Sequence, residues 1–169
     1  MTDTILDLLN SLLGTSYLAK CGITLIISML PIIELRGAIP IGVTILGLPV
    51  HTAAIVSVVG NLIPVPIIII FVRKVFGWMR KKSRRLGIIV DKFESKAMSK
   101  GAKLYRGELI GLMIFVAIPL PGTGAWTGSL IAAILNRRLK AALPAIGIGV
   151  IIAGILVTGL TYGFASLMT

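Results

Sequence analysis

Long apolar runs, two of them interrupted by clusters of helix breakers, set the pattern of this chain. Residues 22–48 are apolar apart from the region Glu34 to Arg36, and Pro31, Gly37 and Pro40 fall inside the run. Residues 107–135 repeat the pattern, apolar at both ends and broken by Pro119, Pro121, Gly122 and Gly124. Residues 51–72 and 144–166 are continuous by comparison, the first carrying Asn61, Pro64 and Pro66. About 20 apolar residues in a helix match the hydrocarbon thickness of a bilayer. Backbone opened at that depth is tolerated only where protein or a cavity surrounds it. The pattern therefore predicts half-helices meeting at a turn in each broken run, and full spans over 51–72 and 144–166.

Two further stretches have helical spacing with one polar face. In residues 3–19, Asp3, Asp7, Asn10, Ser11, Gly14 and Thr15 oppose Ile5, Leu8, Leu9, Leu12 and Leu13. Between residues 86 and 104, Leu86, Ile89, Val90, Phe93, Ala97 and Leu104 oppose Asp91, Lys92, Lys96 and Lys103. Both read as amphipathic helices lying in a membrane interface.

Composition agrees: of 169 residues, 56% are hydrophobic and the mean hydropathy is +1.01, which points to a single integral membrane domain. A net charge of +11 raises the question of nucleic acid, but twelve of the seventeen basic residues lie between Arg73 and Arg106. Clustered beside apolar spans, they are a cytoplasmic signature, and no nucleic-acid partner is expected. Cys21 is the single cysteine, so an intrachain disulfide is excluded and a thiolate metal site is not expected. The start of the chain lacks the basic region and small-residue cleavage site of a signal peptide.

Charge also orders the segments. Arg106 precedes the second broken run, while Arg137, Arg138 and Lys140 follow it, so both ends are expected on one side and the run to re-enter. Each half then reads as amphipathic helix, broken hairpin and full span, and a shift of 88 positions places Leu30-Pro31 on Ile118-Pro119. The expectation is an all-α integral membrane fold built as an inverted repeat of amphipathic helix, re-entrant helical hairpin and transmembrane helix. Repeat one covers about residues 1–74, the basic cytoplasmic segment lies within 73–106, and repeat two covers about 86–169. Both termini are expected outside a multi-pass cell-membrane protein. Inverted repeats with interrupted helices are a common architecture of secondary transporters.

Glu34 is the single acidic residue between Asp7 and Asp91, and it falls in the first broken run beside Arg36. A charge at that depth defaults to function; an ion pair that ties the hairpin to the other half is the structural alternative. Burial disfavours an ionised carboxylate and a nearby guanidinium favours it, which leaves its resting protonation open. Gly37 and Pro40 belong to the same break. In the second, Pro119, Pro121, Gly122, Thr123, Gly124 and Trp126 supply freed backbone, helix N-terminal amides suited to an anion, and one aromatic ring; a tight turn is the alternative. Asn61 is a polar group within a span, either a substrate contact or interhelical glue. His51 reads as interfacial. No nucleophile–base arrangement, His-rich metal spacing or phosphate-cradling loop is present, so neither an enzyme, a metal site nor a cofactor is expected.

The segments Glu34-Leu-Arg-Gly-Ala-Ile-Pro-Ile-Gly42 and Pro119-Leu-Pro-Gly-Thr-Gly-Ala-Trp-Thr-Gly128 resemble the putative small multidrug export protein family, within the wider DedA/VTT membrane protein superfamily. The resemblance spans essentially the whole chain. It implies two re-entrant hairpins with facing tips, an association with lipid translocation or proton-dependent drug tolerance, and roles for Glu34, Arg36 and the Pro121-Gly-Thr-Gly124 turn. The resulting expectation is a small proton- or ion-coupled secondary transporter moving an amphiphile, drug or lipid-phosphate headgroup through a site between the tips. An uncoupled lipid scramblase or channel is the alternative. Membrane lipids are expected partners. Two full spans offer little protein to shield two broken hairpins from lipid, so a homo-oligomer is also expected, a dimer before larger assemblies.

Overall fold

The computed structural model describes residues 16–101, 108–120, 122–135 and 138–167. Among these every regular element is helical: α1 (Tyr17–Met29), α2 (Glu34–Pro40), a π-helical turn (Ile41–Ile45), α3 (Val50–Leu62), α4 (Pro64–Lys82), α5 (Arg84–Gly101), α6 (Glu108–Ala117), α7 (Ala125–Ile134) and α8 (Leu139–Leu167). Two stretches are long and apolar enough to cross a bilayer, Val50–Lys82 at 33 residues and Leu139–Gly163 at 25. Less than half of each is buried, whereas the core helix of a soluble protein is mostly enclosed. Their outward faces carry Ile55, Ile67, Phe71, Ile155 and Leu160, which water would not favour.

The chain divides into two compact units, Met1–Asn61 with Gly154–Thr169, and Leu62–Ala153. In the first, α1 ends at Met29, two residues before Pro31, and α2 packs back along it. The Glu34 amide donates to the Leu30 carbonyl at 2.9 Å, closing the turn. Further on, a Cβ at Gly42 would lie 3.1 Å from Ala53 Cβ and 3.2 Å from Thr24, so the π-helical turn, α1 and α3 meet there. The hydroxyls of Tyr17 and Thr52 join the starts of α1 and α3 at 2.8 Å. The two helices also meet at Gly60, whose side-chain position is filled by Ser28 and lies 2.6 Å from the Leu25 carbonyl oxygen.

In the second unit, α4 packs on α5 and α7, and α6 packs on α7. Gly128 of α7 sits over Val116 and Leu112 of α6, so these two helices also double back. Gly149 of α8 meets α6, with the Met113 carbonyl oxygen 2.7 Å and Val116 Cβ 2.8 Å from where its Cβ would be. Val90 buries α5 against this unit, and an exposed Arg80–Asp91 ion pair at 2.9 Å spans α4 and α5.

Several expectations need correction. Gly37 and Pro40 do not break the first run; the break is confined to 30–33, and both residues lie in helical turns. The ring of Pro40 removes one donor, and the backbone answers by widening into the π-helical turn, where the Leu46 amide reaches back five residues to Ile41. The span expected over 51–72 continues to Lys82, its last turn closed by Arg80, Lys81 and Lys82, which complement the helix dipole. Helix α8 begins at Leu139 and carries Pro144 inside it, on an exposed face. Of the helix expected over 3–19, residues 3–15 lie outside the described residues, as do 102–106 of the basic helix.

Candidate functional site

Glu34 opens α2 in an unusual state. Its φ is +48°, the one non-glycine residue with positive φ among the described residues, and it is 5% exposed. A left-handed conformation costs an L-residue about 1–2 kcal/mol. Such outliers persist where surrounding structure over-determines them, and they concentrate at functional sites. Leu35, Ala38 and Ile39 are fully buried beside it. Arg36, half-buried, lies two residues on. Gly37 follows because a side chain there would run into Ile33. The Pro40 carbonyl accepts a hydrogen bond from the Thr44 hydroxyl at 2.7 Å.

The second break, between α6 and α7, is organised by Thr123. Its hydroxyl lies 2.7 Å from the Ile118 carbonyl oxygen and 2.8 Å from that of Leu120, while its amide donates to Leu120 at 3.1 Å. Gly122 takes φ +82°, which a side chain would resist. Gly124 is buried and immediately precedes α7, and Trp126 stands half-buried in the first turn. Pro119 is partly buried in the turn; Pro121 lies outside the described residues.

Of the residues expected to act, Glu34, Arg36, Gly37, Pro40 and Asn61 belong to the first unit, and Pro119, Gly122, Thr123, Gly124 and Trp126 to the second. Asn61 is 1% exposed and its Oδ1 has no hydrogen-bond partner. His51 is exposed at the start of α3. Sequence reasoning passed over Thr24, Ser28 and Ser57, all fully buried. Their signal was available: each sits one turn from another polar residue (Thr24 from Ser28, Ser57 from Asn61) within an apolar run. Among the described residues, no group of three or more His, Cys, Asp or Glu is placed to hold a metal ion.

A chain whose regular elements among the described residues are all helical, with two long apolar helices and polar groups held at breaks between shorter ones, is consistent with a helical membrane protein. Residues 34–156 match the family described as "Putative small multi-drug export protein", and the chain belongs to that family. The matched segment begins at Glu34, so it takes in residues 34–42 and 119–128 but not the break at residues 30–33. No curated protein and no solved structure matches the chain.

Proposed function

We propose that the chain is a small secondary exporter, proton- or ion-coupled, that moves an amphiphilic, drug-like compound, with Glu34 and Arg36 as its principal polar contacts. The observation that carries this reading is Glu34 itself: an acid buried to 5% exposure, in left-handed backbone, at the start of a short helix between apolar segments. A buried carboxylate either binds a cation or exchanges a proton, and both suit coupled export of a cationic amphiphile. The family description supports export as the activity. The Gly122–Gly124 turn and the first amides of α7 are read as a second polar break, within the other unit. An anionic lipid headgroup would draw on Arg36 instead.

In this reading the two helical hairpins re-enter the membrane, the halves form an inverted repeat, the basic segment faces the cytoplasm, and two or more copies assemble to shield the hairpins from lipid. Proteoliposome flux of a fluorescent lipophilic cation such as ethidium tests the proposal. Transport driven uphill by a proton gradient, lost in Glu34→Gln and weakened in Arg36→Ala, is the expected result. Unchanged transport in both variants overturns the site; movement that no gradient drives uphill points to a scramblase or channel.

A further inference from the structure

Helix ends recur in the two halves at offsets of 88 to 91 residues: Tyr17 and Glu108, and Glu34 and Ala125, are 91 apart, Met29 and Ala117 are 88 apart, and Ile45 and Ile134, like Val50 and Leu139, are 89 apart. The close helix crossings repeat too. Gly60 meets Leu25 and Ser28, and Gly149 meets Met113 and Val116, at offsets of 89 for the glycines and 88 for their partners. Each half thus builds the same crossing within its own unit, and each serves as a packing control for the other.

The control isolates one difference. Thr24, Ser28, Ser57 and Asn61 in the first half correspond to Leu112, Val116, Ile146 and Val150 in the second. All eight are buried. An apolar quartet builds this crossing in the second half, so the architecture does not require the polar quartet in the first. Polar groups buried without partners cost about 1–3 kcal/mol each, which a purely structural role leaves unexplained.

The quartet supplies several acceptor oxygens. Thr24 and Ser28 donate their hydroxyl protons to their own helix, to the Lys20 and Leu25 carbonyl oxygens at 2.9 and 2.7 Å, which leaves lone pairs on both oxygens. Ser57 Oγ and Asn61 Oδ1 are buried with no partner. These two are one turn apart on α3, on the face that meets α1 at Gly60 and the π-helical turn at Ala53. The backbone carbonyl of Leu25 reaches the same seam. Oxygen acceptors without carboxylates match a hard monovalent cation better than a divalent one, whose charge calls for anionic ligands.

We propose that Ser57 and Asn61, facing Thr24 and Ser28 across the α1–α3 seam, form a binding site for a small monovalent cation, with sodium the ion to test. In the transport reading above, on which this role rests, sodium is a second coupling ion beside the proton exchanged at Glu34. Its binding is measured separately from transport. Thermal unfolding of the purified protein in detergent, with sodium exchanged for choline at constant ionic strength and no transported compound present, is the direct assay.

Wild type is expected to show a Tm that rises with sodium and saturates. Asn61→Val and Ser57→Ala, which bring the first half toward the second, are expected to lose that rise while melting at or above the wild-type Tm in choline. Glu34→Gln should retain the rise. Equal Tm in sodium and choline for wild type overturns the site and leaves an ordered water as the occupant; so does a rise that persists in both Ser57→Ala and Asn61→Val. If Asn61→Val does not fold, the smaller Ser57→Ala change decides alone. A sodium-dependent Tm in a protein that moves no lipophilic cation would retain the site and reject the export reading.

Discussion

Replacing Glu34 separates backbone strain from side-chain chemistry. At an ordinary helical position glycine is less stable than alanine by about 1 kcal/mol, because it loses more freedom on folding. At φ +48° the order should reverse. Alanine retains the clash between Cβ and the carbonyl, worth about 1–2 kcal/mol, while glycine has none. Offsetting that relief by glycine's larger folding entropy leaves Glu34→Gly more stable than Glu34→Ala by up to about 1 kcal/mol. Ala38, fully buried in regular helix one turn later, gives the opposite sign when changed to glycine, a loss of about 1 kcal/mol before any packing defect. Denaturant unfolding in mild detergent, followed by circular dichroism, reads the order directly. Both Glu34 variants should also lose transport, since each lacks the carboxylate. If Glu34→Ala proves as stable as Glu34→Gly, or more so, the left-handed backbone is not holding strain, and the case for a functionally constrained Glu34 loses its main support.

Alanine at Gly60 or Gly149 places a methyl within 2.6–2.7 Å of a backbone carbonyl oxygen and should destabilise by about 1–3 kcal/mol, whereas Gly77→Ala, with open space around it, should be neutral or gain up to about 1 kcal/mol in the same unfolding assay. Thr123→Val removes a hydroxyl that serves two carbonyls in the second break, and a loss of about 0.5–1.5 kcal/mol is expected, with faster hydrogen exchange across residues 118–124. Breaking the exposed Arg80–Asp91 pair by Asp91→Asn should change stability by less than about 1 kcal/mol, less still at high salt. Native mass measurement in nanodiscs should find two or more copies per particle; a strictly monomeric active species would contradict the assembly reading.

The breaks were legible because proline and glycine punctuate helices wherever they cluster. Pro31 and the 118–124 segment end helices as the pattern predicted. Gly37 and Pro40 misled for the same reason, since an isolated breaker is absorbed when the next turn can reroute its hydrogen bonds, as the π-helical turn does here. Helix ends were harder. Arginine and lysine are good helix formers, so the charge boundary at Arg73 marks where the apolar surface stops and not where the helix ends. The conformation of Glu34 left no trace in the sequence, because glutamate is not a residue selected for left-handed backbone; only its tertiary surroundings impose it. The polar quartet was half legible. Asn61 stood out as an amide in a span, while Thr24, Ser28 and Ser57 looked like ordinary small residues until the second half supplied apolar counterparts at the same crossing.

Gradient-driven flux in proteoliposomes with Glu34→Gln tests the central claim most directly, because the change keeps shape and removes the titratable charge. The account predicts that wild type concentrates a lipophilic cation against its gradient when a proton gradient is imposed, and that Glu34→Gln, folded to the same Tm within a few degrees, does not. Uphill transport of equal rate in Glu34→Gln would contradict it.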